Sequence, residues 1–163
     1  MPAPTSPASP LFLREAEIRR GVELLFFGYG HLLRTADERL AAESLGRAHH
    51  RALYFIARQP DLTVGALLGL LGITKQSLGR VLNDLTKREL VETRVGRDDR
   101  RQRLLRLTAA GAALEAELFE MLRARLSAAY VEAGPAAVAG FWQVLEGLVP
   151  ASERAMLARL RGS

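Results

Sequence analysis

Residues 63–108 read TVGALLGLLGITKQSLGRVLNDLTKRELVETRVGRDDRRQRLLRLT. Two short helical segments meet at a glycine, and a basic hairpin follows them. Thr63 stands where an N-cap would, with Val64, Leu67, Leu68 and Leu71 at helical spacing behind it. Gly72 offers the left-handed stop. Thr74 then caps a second helix, with Ser77 in place of the Glu or Gln of a capping box. Leu78, Val81, Leu82 and Leu85 form one face of that helix, and Lys75, Gln76, Gly79, Arg80, Asn83 and Lys87 fall on the other. Next, Val91, Thr93 and Val95 alternate with Glu92 and Arg94, and Leu105 and Leu107 flank Arg106. These are two short strands joined by the polar turn GRDDRRQ. Helix, turn, helix and hairpin, in that order, make a winged helix-turn-helix.

The charge of this stretch sets its partner. Ten Lys or Arg face five Asp or Glu, a surplus of five. The whole chain carries +5, so everything outside the stretch sums to zero. All the net charge sits where a helix and a hairpin can project it at a polyanion. The second helix fits a major groove, where base edges present distinguishable donor and acceptor patterns. Thr74 opens that helix, and Gln76, Ser77, Arg80 and Asn83 are its candidate readers, because amide and guanidinium groups pair bidentately with adenine and guanine. Lys75, Lys87 and Arg88 suit phosphates, which position without specifying. At the hairpin tip, Arg101 is the candidate for insertion into a minor groove. Asp99, two residues before it, is expected to hold its guanidinium extended. Arg97, Arg100 and Arg103 are candidate phosphate contacts.

Working outward, residues 2–10, PAPTSPASP, contain four of the seven prolines and no charge, and read as a disordered leader. From Leu11 to about Thr35, Ile18, Val22, Leu25, Tyr29 and Leu32 share one helical stripe. Leu24, Phe26, Phe27 and Leu33 widen it, so this helix needs cover on more than one side, from its own domain and from a second subunit. Residues 36–46 read as a weaker helix or connection ending at Gly46. A helix over about 47–58 carries Ala52, Leu53, Phe55 and Ile56 and stops before Pro60. After Thr108, Leu114, Leu118, Leu122, Leu126 and Ala129 keep helical spacing to about Ala133. Gly134-Pro135 breaks that helix and starts the last one, which Pro150 kinks or splits.

Composition bounds the rest. At 163 residues, 48% hydrophobic and 25% charged, the chain suits one domain, with or without a dimerisation appendage. There is no cysteine, which excludes disulfides and thiolate metal sites. No apolar run approaches the ~20 residues of a membrane span, and no signal peptide opens the chain. The expectation is a cytoplasmic protein with no membrane partner, no cofactor and no metal. His49 and His50 are adjacent, and consecutive helical residues point about 100° apart, which argues against a shared ion. No phosphate loop, nucleophile elbow or metalloprotease pair occurs, so the chain is not read as an enzyme.

The run DDRRQRLLRLTAAG, Asp98 to Gly111, resembles the wing and following helix start of the MarR family of transcriptional regulators. ITKQSLGRVLNDLTKRELV, Ile73 to Val91, is similar to the family's recognition helix and the approach to its wing. The resemblance implies a mainly α fold: a winged helix-turn-helix with a two-stranded β wing, flanked by N- and C-terminal dimerisation helices. It implies a homodimer on a pseudo-palindromic double-stranded DNA operator, and many members are repressors released by a small-molecule effector. The chain then divides into a leader (1–10), an N-terminal dimerisation helix and connection (11–46), a DNA-binding module (47–108) and C-terminal dimerisation helices (109–163). Effectors in such proteins often bind between the dimer helices and the winged module, which makes His31, His49 and Tyr54 loose candidates for a pocket. Two residues depart from the pattern. Glu89 stands where the family usually has glycine, so it either turns left-handed or ends the helix differently. Gly79 interrupts the recognition helix at a cost of about 1 kcal/mol against alanine.

Two other readings remain open at this level. A winged-helix adaptor would turn its basic face to an acidic protein, and an enzyme would use His49 or His50 with an unidentified partner.

Overall fold

The computed structural model describes residues 10–97 and 99–161. The leader expected at 1–10 therefore lies, except for Pro10, outside the described residues.

A single 3-10 turn at Leu11–Leu13 leads into α1 (Glu15–Ala41), and α2 spans Arg47–Arg58. A two-residue strand β1 (Leu62–Thr63) precedes α3 (Val64–Leu71) and α4 (Lys75–Lys87). The hairpin is β2 (Val91–Val95) with β3 (Arg103–Leu107), and α5 (Ala109–Ala133), α6 (Pro135–Leu148) and α7 (Ala151–Arg161) complete the chain. The fold is mainly helical with a small antiparallel sheet in the order β1-β3-β2.

Local chemistry accounts for most of the boundaries. Thr63 Oγ1 accepts the Ala66 N–H at 3.1 Å, and Gly72 ends α3 at φ 61°. Thr74 Oγ1 accepts the Ser77 N–H at 3.1 Å and opens α4. Gly134 separates α5 from α6, whose first residue is Pro135. Pro150 splits the last helix rather than kinking it: α6 ends at Leu148 and α7 begins at Ala151.

Two expectations need correction. First, α1 runs on to Ala41 instead of fading near Thr35. Its last turns bury Ala36 and Leu40 completely, and two of its charged side chains there are paired: Asp37 with Arg47 at 2.8 Å, Arg39 with Glu117 at 2.8 Å. Only the turn at 42–46, with Ser44 at φ 56°, is a connection. Second, the sheet has a third strand, because Leu62 and Thr63 pair with Leu105 and Leu104.

One core holds the winged module together. Leu53 and Ile56 of α2, Leu67 and Leu71 of α3, and Leu78, Val81 and Leu85 of α4 meet Val91 and Leu105 of the sheet. Leu40 of α1 and Leu114 and Leu118 of α5 enter the same cluster. The end of α1 and the start of α5 are thus built into the module. The first half of α1 is not. Phe26 and Phe27 are 76% and 69% exposed, and Ile18, Val22, Leu25 and Tyr29 are exposed too. Both apolar sides of that half-helix stay largely uncovered by the described residues. On α6, Phe141 and Trp142 are likewise exposed.

His50 is a buried polar side chain of this core, on the inner face of α2. Burial pushes its imidazole below the usual histidine range, against a smaller upward pull from Asp37. The unfolded chain then binds a proton at a pH where the folded chain does not. Stability from this group is full above about pH 6.5, the unfolded value, and falls as pH drops below it. Thermal midpoints measured from pH 8 to pH 5 should decline more steeply in the native protein than in His50→Gln. Parallel profiles would reject this role for His50.

Candidate nucleic-acid interface

The candidate interface is built from α4 and the hairpin tip. Leu78, Val81 and Leu85 anchor α4 in the core, which turns Lys75, Gln76, Gly79, Arg80, Asn83 and Lys87 outward, all of them exposed. Thr74 and Ser77 are joined by a hydroxyl–hydroxyl bond at 2.9 Å, so both hydroxyls serve the cap. Gln76, Arg80 and Asn83 remain as groups that present hydrogen-bonding ends to solvent from successive turns of the helix.

Past α4 the chain turns sharply. Glu89 adopts φ 56°, the left-handed alternative, where a residue with a Cβ is strained. Thr108, at the far end of the hairpin, grips this turn. Its hydroxyl donates to the Glu89 carbonyl at 2.6 Å and its N–H to the Leu90 carbonyl at 3.1 Å. The same hydroxyl accepts the Gly111 N–H at 3.0 Å and so caps α5. Gly111 is buried against this corner, and a Cβ there would lie 1.9 Å from the Leu90 carbonyl oxygen. The Leu-Thr-x-x-Gly run is thus a clasp joining the end of the recognition helix, both wing strands and α5.

The wing continues from Val91 paired with Leu107 to Val95 paired with Arg103. At its tip Gly96 donates to the Gln102 carbonyl and Gln102 to the Asp99 carbonyl, each at 3.0 Å. A Cβ on Gly96 would lie 2.7 Å from the Asp99 carbonyl oxygen, so the tight tip requires glycine. Asp99 acts differently from expectation. Its Oδ1 accepts the backbone N–H of Arg101 at 2.9 Å, and no ion pair among the described residues joins the two side chains. A carboxylate two residues back reaches the main chain more readily than the end of a long arginine, so it fixes the turn and leaves the guanidinium free.

Electrostatics separates two kinds of arginine in this region. Arg94 is neutralised by Glu92 at 2.6 Å, and Arg106 by a two-toothed pair with Asp61. The Arg106 guanidinium holds the Asp61 carboxyl below the usual carboxylate range. Asp61 is itself left-handed at φ 66°, and it ties the base of the wing to the loop after α2. Nothing in the sequence signalled that tie beyond an arginine on an alternating strand. By contrast, Lys75, Arg80, Lys87, Arg97, Arg100, Arg101 and Arg103 are exposed and form no ion pair with the described residues. Seven cations on one helix and one hairpin, without an ion pair among the described residues, make this the strongly basic face that a polyanion would meet.

The three pocket candidates do not converge. His31 lines an apolar cleft of about 680 Å³ between α1, α5 and α6, together with Tyr29, Arg125, Tyr130 and Phe141. His49 and Tyr54 do not line it: His49 is bonded to Gly46 and Asp84, and Tyr54 packs on Phe55 and Phe119. No group of three or more His, Asp or Glu side chains able to hold a metal occurs among the described residues. None of their helices is long and apolar enough to cross a membrane.

Comparison with known proteins gives the same architecture a lineage. Residues 44–102 match the model of the MarR family. The chain is 53% identical over 145 residues to the HTH-type transcriptional regulator PetP of Rhodobacter capsulatus, covering 88% of this chain and 87% of that protein. Among solved structures, a MarR mutant from E. coli complexed with operator DNA superposes with a TM-score of 0.63 at 24% identity, over 87% of this chain and all of that one. The PcaV transcriptional regulator from Streptomyces coelicolor, in complex with its natural ligand, gives 0.62 at 18% identity, over 91% of this chain and all of that one. These two structures share the fold, while the PetP identity and the family match set the kinship: this chain belongs to the MarR family of winged helix-turn-helix transcriptional regulators.

Proposed function

We propose that the protein binds a specific pseudo-palindromic operator as a homodimer and regulates transcription from it. The observation that carries this is the set of seven cations on α4 and the wing tip, exposed and without an ion pair among the described residues, held by one core. In this reading 47–108 is the DNA-binding module, and 11–46 and 109–163 are the dimerisation segments. The bare apolar faces of α1 and α6 supply the surface that a second copy covers. Two recognition helices then enter successive major grooves about one turn of DNA apart, and the wings reach the flanking minor grooves. Gln76, Arg80 and Asn83 read bases, Lys75, Lys87, Arg97, Arg100 and Arg103 hold phosphates, and Arg101 enters the minor groove. The operator-bound MarR mutant supports this mode by its shared fold.

A small-molecule effector belongs to the same reading, supported by the ligand complex of PcaV and by the cleft that His31 lines. Tyr29, His31 and Arg125 give that apolar cleft a few polar ends, the composition of a small-molecule site.

The test is a titration against the DNA upstream of the protein's own gene beside scrambled DNA of equal length, at about 150 mM salt. A preference of about 10³-fold is expected. Arg80→Ala should relax preference at one base position at a cost of about 1–3 kcal/mol. Lys87→Ala should weaken all sequences alike and lower the salt dependence by about one ion. Equal losses on both DNAs for both variants would refute this division, and equal weak binding by the native protein would refute the function. Added small molecules that release the DNA would identify the effector.

A further inference from the structure

His49 makes two contacts that together determine where its proton sits. Its Nδ1 lies 3.1 Å from the backbone nitrogen of Gly46, the residue just before α2. A backbone N–H can only donate, so Nδ1 accepts and carries no proton. The ring proton is then on Nε2, which lies 3.1 Å from Oδ2 of Asp84 on α4 and donates to it. The imidazole is mostly buried between the two helices, its side chain 14% exposed. Both ring nitrogens are used, by groups 38 positions apart in the chain (Gly46 and Asp84).

Each end of this link matters to α4. Gly46 closes the turn from α1, so the ring bears on the point where the long helix meets the winged module. Asp84 follows Asn83 directly, lies one turn beyond Arg80 and three residues before Lys87. Apolar burial of Leu78, Val81 and Leu85 holds α4 against the core, but the hydrophobic effect is itself non-directional and does not single out one roll angle. A hydrogen bond to the side of the helix supplies the missing direction.

We propose that His49 is a positioning residue for the recognition helix, a one-tautomer imidazole that ties the α1–α2 turn to Asp84 and sets the roll of α4. The outward angle of Gln76, Arg80 and Asn83 depends on it. The consequence for specificity rests on the operator-binding reading above; the link itself does not.

Three measurements on the full-length protein test it. Nitrogen chemical shifts of the His49 ring should show protonated Nε2 and bare Nδ1; the opposite tautomer or a mixture overturns the link. Amide exchange over residues 83–87 should quicken in His49→Ala, and unchanged exchange overturns the positioning role whatever the DNA does. Against DNA, His49→Ala should lose about tenfold of the discrimination between operator and scrambled sequence, the weight of one oriented hydrogen bond, while scrambled DNA is bound as before. His49→Gln, which keeps a donor for Asp84, should restore most of it. Parallel losses on both DNAs, tracking a lower melting temperature, would mean that His49 only stabilises the fold. If the native protein itself shows no preference, operator recognition fails, and the ring tautomer and α4 exchange still decide the link.

Discussion

Gly111→Ala is expected to destabilise the protein by about 3 kcal/mol or more, as measured by urea denaturation. The added methyl would lie 1.9 Å from the Leu90 carbonyl oxygen and 2.8 Å from its carbonyl carbon, both backbone atoms. That carbonyl cannot swing aside cheaply, because it accepts the Thr108 N–H, and the Thr108 hydroxyl already holds the Glu89 carbonyl. Relief requires α5 to move off the corner, which breaks the clasp or opens the core at Leu114. Gly79→Ala is the control. Nothing lies within 4 Å of a Cβ there, so the same substitution in the middle of α4 should add about 1 kcal/mol of stability. A loss at Gly111 no larger than 1 kcal/mol or so would show that the corner yields more easily than its bonding implies.

Replacing Arg97, Arg100, Arg101 and Arg103 together by alanine should leave the fold intact and cost on the order of 10³ in DNA affinity. All four are exposed and unpaired among the described residues, so their removal opens no cavity and breaks no ion pair there. The slope of log affinity against log salt should shrink by about three, close to 0.9 for each phosphate no longer neutralised. Arg94 and Arg106 provide the comparison. They carry the same charge on the same hairpin but are committed to Glu92 and Asp61, so alanine at either should change the slope little. Arg106→Ala should instead loosen the wing base, visible as faster amide exchange in β3. A quadruple variant that bound DNA within tenfold of the native protein, at an unchanged slope, would remove the wing from the interface.

How far the sequence could be read depended on the distance over which each feature is determined. Thr63, Gly72 and Thr74 announce α3 and α4 because caps and stops act within four residues. The alternation of Val91 to Val95 and the apolar residues at 105 and 107 announce the hairpin for the same reason. The end of α1 was not legible. Asp37, Glu38 and Arg39 look like a connection until Arg47 and Glu117, from other helices, are seen to neutralise two of them. Nor was β1, whose two residues are a strand only because Leu104 and Leu105 lie alongside. Glu89 left two conformations open, and Thr108, 19 residues away, holds the left-handed one. The role of His49 is not local either, since its partner Asp84 sits 35 positions on. At Asp99 a nearby backbone N–H competes with a distant guanidinium for one carboxylate, a choice that the spacing of two residues leaves open.

The clasp at Thr108 and Gly111 also sets a mechanical ratio. It fixes the end of a helix of 25 residues to the corner from which α4 and the wing both spring. Such a helix is about 37 Å long, so swinging it by about 5° about its far end carries the near end about 3 Å, close to the 3.4 Å step between base pairs. A rearrangement of about 5° around Gly134 would therefore be geared up, at the corner that carries α4 and the wing, to a displacement of about one rung of a duplex.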